Sequence, residues 1–243
     1  MSYDSQNPWT ARRGAIATGS QYDLGLRQYM LTVYNYMAAG LAVTGVVAWL
    51  AADTGFYFSL MRMPLVPFLV MLAPFGFILA LSFGIQRMSY GTAQLLYWAF
   101  AAVMGLSLSV VFLRYTGASI ATTFFITASM FLGMSLYGYT TKADLTRMGS
   151  FMMMGLFGLI IASVVNMFMG SSALNFAISF IGVVIFTGLT AYDTQRIAQQ
   201  YYYSGNGSSE MVGKGALMGA LELYLDFLNL FLFLLRLLGN NRD

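Results

Sequence analysis

The strongest constraint in this chain is an apolar stretch that carries acid. Residues 215–238 read GALMGALELYLDFLNLFLFLLRLL. At 1.5 Å per residue a helix of this length spans about 36 Å, enough to cross a bilayer core of about 30 Å. Within it stand Glu222, Asp226 and Asn229, and their spacing of four and three residues puts all of them on one helical face. A carboxylate near the bilayer centre costs at least about 2.5–3.5 kcal/mol on insertion scales. A buried partner or a water-filled cavity has to offset that cost. The chain has only nine acidic residues in 243, so two on one face of a membrane helix point to function.

Composition defines the solvent. Apolar residues make up 58% of the chain and charged residues 9%, against roughly 25% charged in soluble domains. An all-α integral membrane protein is expected, with lipid as its surroundings. Cysteine and histidine are both absent, which removes disulfides, thiolate chemistry and the usual neutral-pH proton switch. Titration near neutrality must then come from a perturbed carboxylate, or from Lys or Tyr. No nucleophile is paired with a base and no phosphate-binding loop is present, so an enzyme is not expected, nor a cofactor. The net charge of +3 is spread over linkers; it argues against a nucleic-acid partner and reads as a topology signal.

Residues 1–22 are polar and lack the apolar core of a cleavable signal. They are expected to form a flexible tail before a membrane domain, 23–243. Seven apolar segments follow, at about 27–52, 65–86, 91–113, 118–140, 149–169, 173–197 and 215–238. Pro67 and Pro74 predict irregular helix in the second. The short linker Tyr115-Thr116-Gly117 leaves a re-entrant hairpin, and with it six or eight crossings, as the alternative to seven. With seven, Arg12, Arg13, Arg27, Arg87, Lys142, Arg147, Arg196 and Lys214 fall on one side and Arg62, Arg114, Arg236 and Arg242 on the other. Eight cations against four place the N-terminus in the cytoplasm and the C-terminus outside.

Small residues recur within the segments (Gly40 and Gly45, Gly155 and Gly158, Gly182 and Gly188, Ala216 and Ala220) and predict close helix packing. The eighteen methionines read as gap fillers, with a thioether metal site as the minor alternative. Among the acids, Asp144 sits between Lys142 and Arg147 in a linker and is expected to be solvated. Asp193, in FTGLTAYDTQRI, is either an interfacial carboxylate paired with Arg196 three residues on, or a functional group. Asp226 lies eleven residues into its segment, as a structural buried carboxyl or a functional one. Glu222 is nearer the inner surface and either faces water or joins Asn229 in a cation path.

AYDTQRI and LELYLDFLNLFLFLLRLLG resemble the signature of the Bax inhibitor-1 (transmembrane Bax inhibitor motif) family. GLRQYMLTVYNYMAAGLAVTG and MGSFMMMGLFGLIIASVVNMFM are similar to its bacterial branch, and the likeness extends from about Asp23 onward. The resemblance implies seven transmembrane helices with the C-terminal one central and the other six wrapped round it. It implies that Asp193 and Asp226 share a proton between the sixth and seventh helices and gate a pH-sensitive calcium leak. It also assigns Arg87, in FGIQRMSYG, as a hydrogen-bond partner of Asp193, and the bacterial inner membrane as the location. The chain ends in GNNRD, without the Lys-rich tail credited with pH sensing in eukaryotic members, so the expectation rests on the aspartates.

Two carboxylates a few Å apart in a low dielectric resist double ionisation, and their titration belongs to the pair. A shared proton lets them bond and close the inner mouth; without it, repulsion of about 4 kcal/mol at 4 Å and an effective dielectric near 20 favours opening. Calcium is expected as the transported ion, held at Asp193 and Asp226 weakly and transiently, because two carboxylates and Asn229 are too few for a tight site. Counted from the segment ends, Asp193 lies about 5 Å and Asp226 about 15 Å from the inner surface. Contact then requires a late start of the last helix or an inner loop that dips. Two other readings stay open: a proton-coupled calcium exchanger, and a non-transporting regulator that binds a membrane protease or another membrane protein.

Overall fold

Long apolar runs separated by short polar linkers leave the backbone one way to satisfy its hydrogen bonds in lipid, which is helix after helix. The computed structural model describes residues 8–204 and 208–242. They form α1 (Pro8–Asp53), α2 (Phe56–Met61), α3 (Val66–Gly84), α4 (Tyr90–Arg114), α5 (Gly117–Thr140), α6 (Thr146–Met169), α7 (Ser172–Ser204) and α8 (Ser209–Leu238). Seven of these are long and apolar enough to cross a membrane, as expected; α2 is a short helix in the first linker. The sixth and seventh crossings are therefore α7 and α8. Of the expected polar tail, residues 1–7 lie outside the described residues. The backbone is helical from Pro8, and the membrane-length part of α1 starts at Leu24.

The linkers have local causes. Ser89 and Thr116 cap α4 and α5, each accepting from the amide three residues on. Gly55 and Gly170 take left-handed conformations at φ 70° and 62°, ending α1 and α6 where a side chain would be strained. Tyr115-Thr116 is not part of a re-entrant hairpin. It joins two full-length helices and pairs with the C-terminal segment: Thr116 N–H donates to Asn240 O at 3.2 Å, and Arg242 N–H to Arg114 O at 2.8 Å.

Burial separates the last helix from the rest. Of its most apolar 18-residue stretch, 72% is buried inside the protein, against 6% to 44% for the other six. It packs on α1, α4, α5 and α7, while α3 docks chiefly on α4 and α6 on α7. Aromatic edges make much of the contact: Phe100 of α4 meets Tyr224, Phe131 of α5 meets Phe227, and Phe186 of α7 stacks on Phe233. At the junction of α1, α4 and α8, Tyr224 donates to Thr44 Oγ1 at 2.7 Å, and Thr44 donates on to Ala101 O at 2.8 Å. The outward faces of α3 and α6, with Phe83 and Phe168 over 80% exposed, are what lipid-facing helices present.

The small residues divide by environment. Gly40 faces the Tyr97 hydroxyl, Gly182 the Phe233 ring and Gly188 Met152, whereas Gly45 and Gly158 face open space. The closest backbone approach is at Gly138, where a Cβ would fall 2.1 Å from the Ala191 carbonyl oxygen and so lever α5 off α7.

Pro74 does lie inside α3, and its missing N–H leaves the Val70 carbonyl without a donor. Ser107 of α4 supplies one, its hydroxyl 2.7 Å from Val70 O. The helix thus continues through the proline because a neighbour repairs it. Ser107→Ala is expected to cost about 0.5–1.5 kcal/mol, read as a lower thermal unfolding midpoint in detergent micelles; an unchanged midpoint would show that the carbonyl finds another donor.

Candidate functional site

The hairpin of α7 and α8 sets the geometry. Asp193 lies sixteen residues before Ser209, the first residue of α8, and Asp226 seventeen after it. Asp193 stands only eleven residues before Ser204, where α7 ends, so the packing register of the two helices, and not equal distance from the linker, brings the acids to one level. Both helices run past the apolar segments read from sequence: α7 continues through AQQYYYS to Ser204, and α8 starts six residues before Gly215. The extension of α7 to Ser204 carries Asp193 deeper than the apolar segment alone implies. Small residues allow close approach, and a Cβ on Gly219 would lie 2.9 Å from Ile197.

The two carboxyls are within hydrogen-bonding reach of each other. Asp193 is 8% exposed and Asp226 5%. Asp226 Oδ2 is buried and, among the described residues, has no hydrogen-bond donor. Ionised carboxylates only accept, so two of them in contact satisfy each other only when one carries a proton. Arg196 Nη2 lies 2.9 Å from Asp193 Oδ1 and 2.8 Å from Glu222 Oε2, tying α7 to α8 at the same level. The guanidinium also lies 5.4 Å from the Tyr192 ring centre, and the charge of Glu222 is felt at Tyr29 of α1. Three carboxyls and one guanidinium thus form the cluster.

The flanking motif residues fix α7 in place. Thr194 bonds Ser135 of α5 at 2.9 Å, and Ser135 bonds Tyr34 of α1 at 2.5 Å. Gln195 accepts from the Leu145 amide at 2.9 Å and donates to Ala143 O at 2.8 Å, clamping the linker from α5 to α6. That linker also holds Asp144, which is solvated as expected; the Thr146 hydroxyl and amide hold its carboxyl below the usual carboxylate range.

The structure therefore joins Asp193, Asp226 and Glu222, and leaves two expected residues elsewhere. Asn229 donates to its own helix, Nδ2 to Leu225 O at 2.8 Å, and lines a cavity of about 480 Å³ with Pro74, Ser107 and Tyr57. Arg87 is exposed in the linker from α3 to α4 and makes no ion pair among the described residues. The cation on Asp193 is Arg196, one turn away on the same face. Sequence reasoning saw that i+3 pair but missed its reach to Glu222, which depends on the hairpin register. Among the described residues no three acidic side chains are disposed to hold a metal ion.

Compared with known proteins, residues 26–243 match the family described as inhibitor of apoptosis-promoting Bax1. The chain belongs to the Bax inhibitor-1 family. An uncharacterized protein of Rickettsia prowazekii is 53% identical to this Bax inhibitor-1 chain, over 91% of it and 93% of the relative. The inner membrane protein YbhL of Escherichia coli K12 is 45% identical, over 90% and 94%. An uncharacterized protein of Caulobacter vibrioides is 46% identical, over 91% and 92%. Family membership and seven membrane-length helices together make this an integral membrane protein.

Gln195 gives this Bax inhibitor-1 site a stability test separate from its chemistry. Gln195→Leu strands the buried Leu145 amide and is expected to cost about 1–3 kcal/mol. The check is thermal unfolding of the purified protein in detergent, where the midpoint should fall; no change would mean that the linker is held by other contacts.

Proposed function

We propose that this protein is a pH-sensitive calcium leak of the bacterial inner membrane, gated by a proton shared between Asp193 and Asp226. The observation that carries the reading is the buried Asp226 Oδ2 without a donor, beside a second carboxyl. Such an arrangement in a membrane helix has a large cost unless a proton resides there. The name of the relative YbhL supports the inner membrane, and the distribution of Lys and Arg supports a cytoplasmic N-terminus and an external C-terminus.

With the proton in place, the pair bonds α7 to α8 and the inner mouth is closed. Rising pH removes it. Two like charges then repel by about 4 kcal/mol at 4 Å with an effective dielectric near 20, enough to shift a packing equilibrium of a few kcal/mol. The charged and titratable groups facing the pair are Arg196 and Tyr192 on α7, Glu222 on α8 and Tyr29 on α1. Arg196 stabilises the ionised form of Asp193, so it sets the pH of opening. Hard divalent cations prefer oxygen ligands, and the opened mouth exposes carboxylates from two helices. Asn229, one turn beyond Asp226, continues the path into the cavity between α3, α4 and α8.

The test is calcium flux through the purified protein in liposomes at clamped voltage. Wild-type flux should rise more than about tenfold between about pH 6 and about pH 8, the change that ~1.4 kcal/mol of the repulsion delivers. Asp226→Asn keeps a hydrogen bond to Asp193 through its amide but holds no titratable proton, so flux should be low and flat with pH. Unchanged flux and pH profile in Asp193→Asn and Asp226→Asn would overturn the leak and favour a regulator that binds a membrane protease or another membrane protein. Obligatory proton counter-transport would replace the leak with an exchanger.

A further inference from the structure

The gate as proposed uses Arg196 only as a neighbouring charge, yet its geometry is more specific than that. One nitrogen, Nη2, stands 2.9 Å from Asp193 Oδ1 and 2.8 Å from Glu222 Oε2, oxygens that come from different helices. Beside them lies Asp226, 5% exposed, with Oδ2 lacking a donor among the described residues. Carboxylate oxygens converging from two helices on a single positive centre are the surroundings a hard divalent ion uses. Here a guanidinium fills that place with half the charge. It is also able to leave: the Arg196 side chain is 46% exposed and that of Glu222 35%. The Tyr192 ring, 5.4 Å from the guanidinium carbon, offers it a cation–π contact on its own helix.

We propose that Arg196 is a tethered cation occupying a divalent-cation site made by Asp193 and Glu222 at the inner mouth, and that a mobile divalent ion enters by displacing it. The inference rests on the cation path through Asp193 and adds to it the device that selects the ion. A side chain tethered by one short stem competes at a high effective concentration. A monovalent ion brings no more charge than the guanidinium it must displace, and no tether. A divalent ion neutralises both carboxylates, so it alone gains by the exchange. The site is weak by construction, which suits an ion that must leave again.

Terbium is a suitable probe, being a hard cation whose emission is sensitised by nearby tyrosines such as Tyr192 and Tyr29. Binding is read by luminescence on the full-length protein in detergent, with calcium as the competitor. Arg196→Gln should lower the half-saturating terbium concentration at least about tenfold, as expected when a tethered competitor of millimolar effective concentration is removed. Adding Glu222→Gln to that variant should restore weak binding. Arg196→Lys keeps a tethered charge and should bind as weakly as wild type, which guards against a folding defect in the neutral variant. The inference is overturned if Arg196→Gln binds terbium no more tightly than wild type, or if Arg196→Lys binds as tightly as Arg196→Gln. Calcium flux in liposomes separates the two proposals. Tight terbium binding in Arg196→Gln, cancelled by Glu222→Gln, with no calcium flux in any variant, retains the site and removes the leak. Wild-type flux with no gain of binding in Arg196→Gln does the reverse.

Discussion

A carboxyl oxygen buried in a membrane helix without a donor is the constraint on which this structure turns. Water is absent from the hydrocarbon core, so the cost of Asp226 has to be met by protein. That requirement explains why the most acidic span is also the most enclosed, with α1, α4, α5 and α7 against it and aromatic side chains filling the contacts. Had α8 been placed at the lipid face, Glu222 and Asp226 would have met hydrocarbon. The lipid-facing positions fall instead to α3 and α6, whose sequences carry no comparable polar face.

Elsewhere the same accounting closes. The Val70 carbonyl freed by Pro74 receives the Ser107 hydroxyl, Thr44 links Tyr224 to the Ala101 carbonyl, and Ser135 joins Tyr34 to Thr194. Each repair uses a short hydroxyl on a neighbouring helix, which costs little side-chain entropy and fits between close backbones. Against that background Asp226 Oδ2 stands apart among the described residues. An unsatisfied buried polar atom in an otherwise satisfied interior calls for a proton or an ion.

The crossings were legible because each is a long apolar run between turn-forming residues, a signal that needs no knowledge of neighbours. Helix ends were not. AQQYYYS and SEMVGK read as linker by hydropathy, yet both continue helices that project beyond the apolar core. That misreading made Asp193 look shallow and its contact with Asp226 look difficult. Within the site, the pairing of Asp193 with Asp226 came from a motif resemblance, whereas Arg196 to Glu222 follows only from the register of the hairpin. Residues 193 and 226, and 196 and 222, stand at unequal distances from the linker, so counting along the chain does not give that register. Gly138 was passed over for the opposite reason: its role is a contact with a distant backbone, and a single glycine in a helix carries no sign of that.

Two fastenings join α7 to α8 at one level, and they differ in wetness. The carboxyl pair is dry, so it answers to protons and hardly to ionic strength. The Arg196–Glu222 pair is half exposed, so it is open to screening and to competing cations. On the proposed reading both act on one helix-packing equilibrium, and linkage then requires reciprocity. If loss of the dyad proton loosens the hairpin and so frees Arg196, a cation that displaces Arg196 must in turn make the dyad proton easier to lose. Proton and divalent cation become opposed ligands of the same contact without sharing an atom. A chain without histidine or cysteine can in this way couple pH to ion entry with carboxylates and one guanidinium.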